Sequence, residues 1–483
     1  MTALIPVAPR PIDAPMAMGT LVTLDEQARF LDRDLITGGS PWRLLRLPGG
    51  SRLVAERWVA GAPVRAGEER FARTLVQQGL LHPVFHAALD VEQIDVIIPV
   101  YNDVPSLRGL LAQLAQMHVC VVDDGSADPD SLAECAGRFG VTLVRLEQNE
   151  GPAAARNAGL RATSRPLVWF LDVDVALDNA DDVLARLAAA FEDPLLAAAA
   201  PRVRGGAGRS PRDRFEQRFS PLDMGARGGL VMPGGAVPYV PSACLVVRRS
   251  AVGGGFDETL LAGEDVDLVW RLYDQGWLVR YVADVVVTHR ARDSWGRWWS
   301  QRVGYGASSG ELAKRHGTRL APLRCDAWTL VAWTTVLFAK PMIGARIVRV
   351  ARHSLRARLE PSSDDADHVA REVVTKGMIR SGGPLARSTV RTFGPLLLVA
   401  ALHPSLRRRA LALYAVGTAW RWRRARVHAN DVPLAVADDL AYALGVFKGA
   451  WRAKTLRSLT PDVTRPSVSV REMLGLKSPG DEV

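Results

Sequence analysis

The sequence predicts an α/β protein with a mainly parallel sheet over residues 93–310. A small α+β, winged-helix-like module at 20–88 precedes that domain, and a basic helical region at 311–483 follows it. Three observations predict this. Between about 93 and 290, apolar runs of strand length alternate with stretches of helical period, the signature of βαβ units. The formal charge splits along the chain, net −8 over residues 1–289 and net +18 over 290–483. The length of 483 residues exceeds what one core organises.

Residues 1–19 are Pro-rich and lack a continuous apolar run, so a flexible leader and no signal peptide are expected. In the small module, "GTLVTLD" and "PWRLLRLP" read as extended pieces and Gly49-Gly50 as a turn. "LVAERWVAGAPV" reads as a strand and turn, and "GEERFARTLVQQGLLHP" as a helix with Phe71, Leu75 and Leu80 on one face.

The α/β block opens with "IDVIIPVYN", whose unbroken apolar run suits a strand buried on both faces. Leu107, Leu110, Leu111 and Leu114 then recur at helical spacing, and "HVCVVDDGS" is a second strand ending in acids. "DPDSLAECAGRFG" is a helix closed by Gly140, "VTLVRLE" a third strand, "GPAAARNAGLRAT" an Ala-rich helix and "PLVWFLDVDV" a fourth strand. In a parallel sheet the C-terminal strand ends share one rim, where functional groups collect. That rim carries Tyr101, Asp123, Asp124, Asp172 and Asp174. Alternation along a strand turns residues i and i+2 to one face, so Asp172 and Asp174 can share one hard cation unless the strand end bends or they only form a solvated turn.

Several chemistries are excluded. There is no GxGxxG after the first strand, no GxxxxGK[ST] and no Gly-x-Ser-x-Gly elbow. The four cysteines form no CxxC pair, against a zinc ribbon or a disulfide framework and in line with a reducing compartment.

The blocks "IDVIIPVYND", "CVVDDGSAD", "EQNEGPAAARNAGLR", "VWFLDVDV" and "FDETLLAGEDVDLVWRLYDQGW" stand in the order found in inverting family-2 glycosyltransferases, which this chain resembles over about 93–310. The resemblance implies a GT-A, Rossmann-like catalytic domain and a nucleotide-sugar donor. It implies Asp124 on the uracil and Tyr101 shaping the base pocket, with Pro99, Asn102, Gly151 and Arg156 also in the nucleotide-sugar site. It further implies Asp172 and Asp174 bridging Mg2+ or Mn2+ to the diphosphate, His289 completing the metal shell, and Asp265 as the catalytic base. Glu264 and Asp267 are rivals for that last role, and one of the three acids is expected to serve the helix N-terminus. "WWSQRVGYG" loosely echoes a QxxRW block, which makes Arg302 a candidate phosphate contact.

The N-terminal module resembles the peptide-recognition elements of modified-peptide pathways. Such a module before a family-2 transferase, followed by a basic tail with apolar helices, resembles the glycosyltransferases of those pathways, which implies a peptide-derived redox cofactor as acceptor and UDP-glucose as donor. Rhamnosyl or galactosyl transfer to a lipid-linked acceptor is the rival within the class. A non-enzymatic membrane- or nucleic-acid-surface binder is the rival outside it.

In the basic region the apolar runs 327–339, 393–402 and 410–420 fall short of the roughly 20 residues a spanning helix needs. They are either core helices or interfacial ones. Trp298, Trp299, Trp328, Trp333, Trp420 and Trp422, beside Arg407-Arg408-Arg409 and "RWRRAR" (421–426), suit a membrane surface, so association with the cytoplasmic face of the membrane is expected and a nucleic-acid partner is not.

Overall fold

The computed structural model describes residues 14–464 apart from 32–33, 48, 86–90, 291–293, 360–365 and 423–428. The expected leader therefore lies mostly outside the described residues, as does most of "RWRRAR". The chain divides into two compact units: residues 1–29, 37–44 and 49–295 in one, and 30–36, 45–48 and 296–483 in the other.

In the first unit, strand Leu21–Leu24 pairs antiparallel with Leu81–Val84. Helices Ser51–Val59 and Glu69–Gln77 lie between them in sequence. The segment expected as a strand and turn is thus a helix. Its buried residues, Ala55 and Trp58, are three apart, which is helical rather than strand spacing. Trp58 packs its ring 5.3 Å from Phe71 and donates its indole N–H to Glu68 at 2.9 Å.

The same unit joins this segment to the sheet that follows through buried charges. Arg73 donates twice to Asp193, at 2.7 and 2.8 Å. Asp25, 3% exposed, accepts from His82 and from Arg227, which hold its carboxyl far below the usual carboxylate range despite burial.

Nine strands form one sheet: β1 (Ile94–Val100), β2 (His118–Asp123), β3 (Thr142–Arg145), β4 (Leu167–Leu171), β5 (Val175–Ala176), β6 (Leu196–Gly205), β7 (Gly229–Leu230), β8 (Cys244–Arg248) and β9 (Leu278–His289). The order is β5-β9-β6-β8-β4-β1-β2-β3, with β7 paired to β9 outside that path. The β4-β1-β2-β3 half is parallel throughout, and β6 and β9 also run parallel. By contrast β8 is antiparallel to both its neighbours, and β5 and β7 are antiparallel to β9. The sheet is therefore mixed, not mainly parallel. Past β4 the connections stop being regular βαβ crossovers, and a reversed strand enters the middle of the sheet.

Helices α1 (Val104–Leu111), α2 (Pro129–Phe139), α3 (Pro152–Ala162), α4 (Ala180–Ala189), α5 (Pro211–Phe219) and α6 (Glu264–Asp274) accompany it. Each of α1, α2 and α4 starts at an Asp or Asn whose side chain accepts a backbone N–H of the first turn, and α2 ends on left-handed Gly140. Val96, Ile98, Val121, Trp169, Leu171 and Val246 lie in one core cluster that fixes the strands, and so the rim.

The second unit is helical, with Trp295–His316 (from residue 296 on), Ala327–Leu337, Pro341–Leu359, Gly377–Ala400, Pro404–Trp422 and Val432–Arg452 as its main described helices. Gly306 and Gly310 face Gly445 and Gly449 so closely that an added Cβ on any of the four would meet backbone within 2.2 Å. Two helices thus touch along matched GxxxG spacings. Among the described residues, no helix is long and apolar enough to cross a membrane. The tryptophans expected at an interface are largely inside: Trp298 and Trp328 are buried, while Trp333 and Trp420 pack on Gly382 and Gly383. Aromatic rings opposite glycines fill a helix–helix seam, which leaves Trp333 and Trp420 half-buried, while Trp299 stays exposed.

Candidate active site

The rim at the end of β1 and β2 is a braced turn. Asn102 sits at φ 55, donates its backbone N–H to the Ser126 hydroxyl at 2.9 Å, and accepts the Ala127 N–H at 2.8 Å. Asp123 accepts from Ser126 N–H and from Arg145, so it scaffolds the turn. Asp124 reaches across to accept the backbone N–H groups of Glu150 at 2.8 Å and Gly151 at 3.0 Å, immediately before α3. Burial raises its pKa above the usual carboxylate value, the two N–H donors pulling the other way. Tyr101 is half exposed beside it, and Pro99 is half-buried at the end of β1.

Strand β4 stops at Leu171, and Asp172–Asp174 form a turn closed by Val175 N–H donating to the Asp172 carbonyl at 3.0 Å. The two acids do not alternate on a strand as expected; the turn brings them round instead. The ladder β5–β9 then sets Val175 opposite His289, which places the imidazole Nε2 3.1 Å from Asp174. One ligand atom each from Asp172, Asp174 and His289 lies within 4.8 Å of the others. Two hard oxygen donors and one imidazole suit a small divalent cation such as Mg2+ or Mn2+.

Glycine 263, at φ 84, opens α6 and delivers three acids that the structure separates. Asp267 is fully buried and accepts from Arg271 at 2.7 Å. Glu264 accepts from Arg156 at 2.9 Å. Among the described residues Asp265 accepts backbone N–H groups alone, Val266 at 2.7 Å and Ser242 at 3.4 Å. Burial, and next the neighbouring Glu264 charge, push its pKa up to about 7. It is the one acid of the three not committed to an arginine.

Arg156 does more than the sequence suggests. Its guanidinium donates to Asp172 at 2.7 Å as well as to Glu264, and stacks 5.4 Å from the Phe256 ring. The charges of Asp172 and Glu264 hold its pKa above normal against burial. The strand-end turn and the start of α6 are thereby tied to one cation. The Arg156–Glu264 link spans 108 residues and the Ser242 contact 23, so no local pattern signals either. Arg302 is engaged elsewhere. Its side chain is 2% exposed and donates to Asp438 within the helical unit.

The glycosyl transferase family 2 model matches residues 95–255. The pre-mycofactocin glycosyltransferase of Mycobacterium tuberculosis (strain CDC 1551 / Oshkosh) is 34% identical over 465 residues, spanning 92% of this chain and 98% of that one. An N-acetylglucosaminyltransferase of Mesorhizobium japonicum is 29% identical over 240 residues, 45% of this chain and 55% of its own length. Among solved structures, a mannosyltransferase from Pyrobaculum calidifontis in complex with GDP-Man and Mn2+ covers 76% of this chain and 91% of that one. It does so at 19% identity and a TM-score of 0.43.

Proposed function

The chain belongs to glycosyl transferase family 2 and is a nucleotide-sugar-dependent glycosyltransferase; from that premise we propose that it transfers a hexose, with inversion, from UDP-glucose to pre-mycofactocin, a peptide-derived redox cofactor precursor. The observation that carries this reading is the 34% identity to a relative of that name across nearly the full length of both chains.

The chemistry follows from the site. Asp265 takes the proton of an acceptor hydroxyl, whose oxygen forms the new bond to the anomeric carbon as the bond to the nucleoside diphosphate breaks. A base whose pKa is near neutrality keeps a substantial ionised fraction at neutral pH and is still basic enough to accept that proton. Asp124 and the Glu150–Gly151 backbone it holds frame the nucleotide end, beside Tyr101. Asp172, Asp174 and His289 would hold Mg2+ or Mn2+, which when bound supplies Lewis-acid stabilisation of the departing diphosphate. Arg156 keeps Asp172 and Glu264 in fixed places around Asp265.

Mass spectrometry of products formed from the peptide-derived acceptor with a panel of UDP- and GDP-sugars tests the reading. One or more hexose increments with UDP-glucose are expected. Products with GDP-sugars alone would overturn the donor, and an acceptor left unmodified by every donor would overturn the acceptor. Transfer to a lipid-linked acceptor is the second reading, favoured by the exposed apolar side chains of the helical unit, and extracted lipids supplied as acceptors decide it.

A further inference from the structure

The helical unit exposes apolar side chains at one end that its own packing does not use. At the turn between Ala327–Leu337 and Pro341–Leu359, Phe338 and Met342 are 50% and 73% exposed. At the turn between Gly377–Ala400 and Pro404–Trp422, Val399 and Leu402 are 64% and 76% exposed. The two turns meet, because the Arg409 guanidinium lies 5.1 Å over the Phe338 ring. They form one apolar tip, not two scattered loops.

The charge around this tip has one sign. Lys340 stands in the first turn and Arg407, Arg408 and Arg409 follow the second. Neither residues 327–359 nor residues 373–430 contain a single Asp or Glu. Arg407 and Arg409 hydrogen-bond backbone carbonyls at Ala401 and Ser405, which holds their side chains over the turn.

We propose that this tip seats in the interface of an anionic lipid bilayer, Phe338, Met342, Val399 and Leu402 entering the acyl boundary while Lys340 and Arg407–Arg409 meet the headgroups. A bilayer surface is at once apolar below and anionic above, which is the chemistry this tip complements. A water-soluble acidic partner would satisfy the arginines and leave the aliphatic side chains without a place. None of the described helices can span a membrane, so the tip attaches the protein without crossing. The aliphatic tip stands where tryptophans were expected, two of which, Trp298 and Trp328, are buried in the helical unit.

The test is flotation of the full chain with phosphatidylcholine vesicles and with vesicles also containing phosphatidylglycerol. The protein is expected to float with the anionic vesicles and not with the neutral ones. The double variant Met342→Asp/Leu402→Asp should stay at the bottom, and Arg408→Glu should bind about fivefold more weakly or worse, the scale of one headgroup charge. Both substitute exposed positions, so unchanged melting temperatures and unchanged transfer to a soluble acceptor are expected alongside. The proposal is overturned if the native chain ignores anionic vesicles, or if the double variant floats as well as the native chain. It is equally overturned if sedimentation velocity shows a dimer that the double variant dissociates, because the tip is then an interface between copies.

Discussion

Arg156 and Glu264, 108 residues apart, are joined by a buried ion pair of 2.9 Å, and the other arm of the same guanidinium donates to Asp172 at 2.7 Å. One cation therefore neutralises an acid at the strand-end turn and another at the start of α6, next to Asp265 in sequence. Removing one partner of a buried pair leaves an uncompensated charge, which costs about 3–5 kcal/mol. Arg156→Ala is expected to lose stability on that scale, read by chemical denaturation. Arg156→Lys should recover part of the stability and little of the activity, because an ammonium cannot fork to two carboxylates.

The metal set gives a separate expectation. Asp174→Ala should abolish Mn2+-dependent binding of UDP, and His289→Ala should weaken it by more than about tenfold, the scale on which even supporting groups matter at metal sites. Isothermal titration with and without Mn2+ reads both. Binding by Asp174→Ala at native affinity would remove the metal from the reading.

Asp265 sets a pH dependence of opposite sign for activity and for stability. Its folded pKa is pushed up to about 7, whereas an unfolded aspartate titrates near 4. The base must be ionised to act, so kcat/KM should rise with pH through about 7. The folded chain, however, holds a proton that the unfolded chain releases. Its contribution to stability is fully present below about pH 4 and is lost as pH rises through about 7. Asp265→Asn should accordingly abolish transfer at every pH while raising the melting temperature above native at pH 8 and not at pH 4. Equal melting temperatures at both pH values would refute this.

Asp124 supports two backbone N–H groups ahead of α3. Asp124→Ala leaves those donors without their acceptor, at a cost of about 1–3 kcal/mol. UDP affinity should fall with stability. Asp124→Asn, which keeps one acceptor oxygen, is expected to lose less of both by denaturation and titration.

The Arg73–Asp193 pair holds the N-terminal segment to the sheet of the same unit through two short hydrogen bonds. Arg73→Ala should expose the segment before residue 85 to limited proteolysis well before the nine-stranded sheet is cut. Simultaneous digestion of both would argue that the segment is held by its apolar contacts instead.

The amino-acid sequence alone determined the α/β class, the order of the rim blocks and the family, because apolar periodicity and short motifs are written within a few residues of one another. The family resemblance those motifs carry implied Asp124, Asp172, Asp174, Asp265 and His289 as a set. What the sequence could not encode locally was strand direction. Strand β8 runs antiparallel between β4 and β6, a pairing chosen among residues some fifty to eighty positions apart. For the same reason the turn that gathers Asp172 and Asp174, the Arg156 bridge, and the commitment of Arg302 to Asp438 were decided only in three dimensions. The tryptophans make the point from the other side. Composition marks Trp298 and Trp328 as amphipathic, but whether such a ring meets solvent or a neighbouring helix depends on the close approach of distant segments, and here that approach buries them.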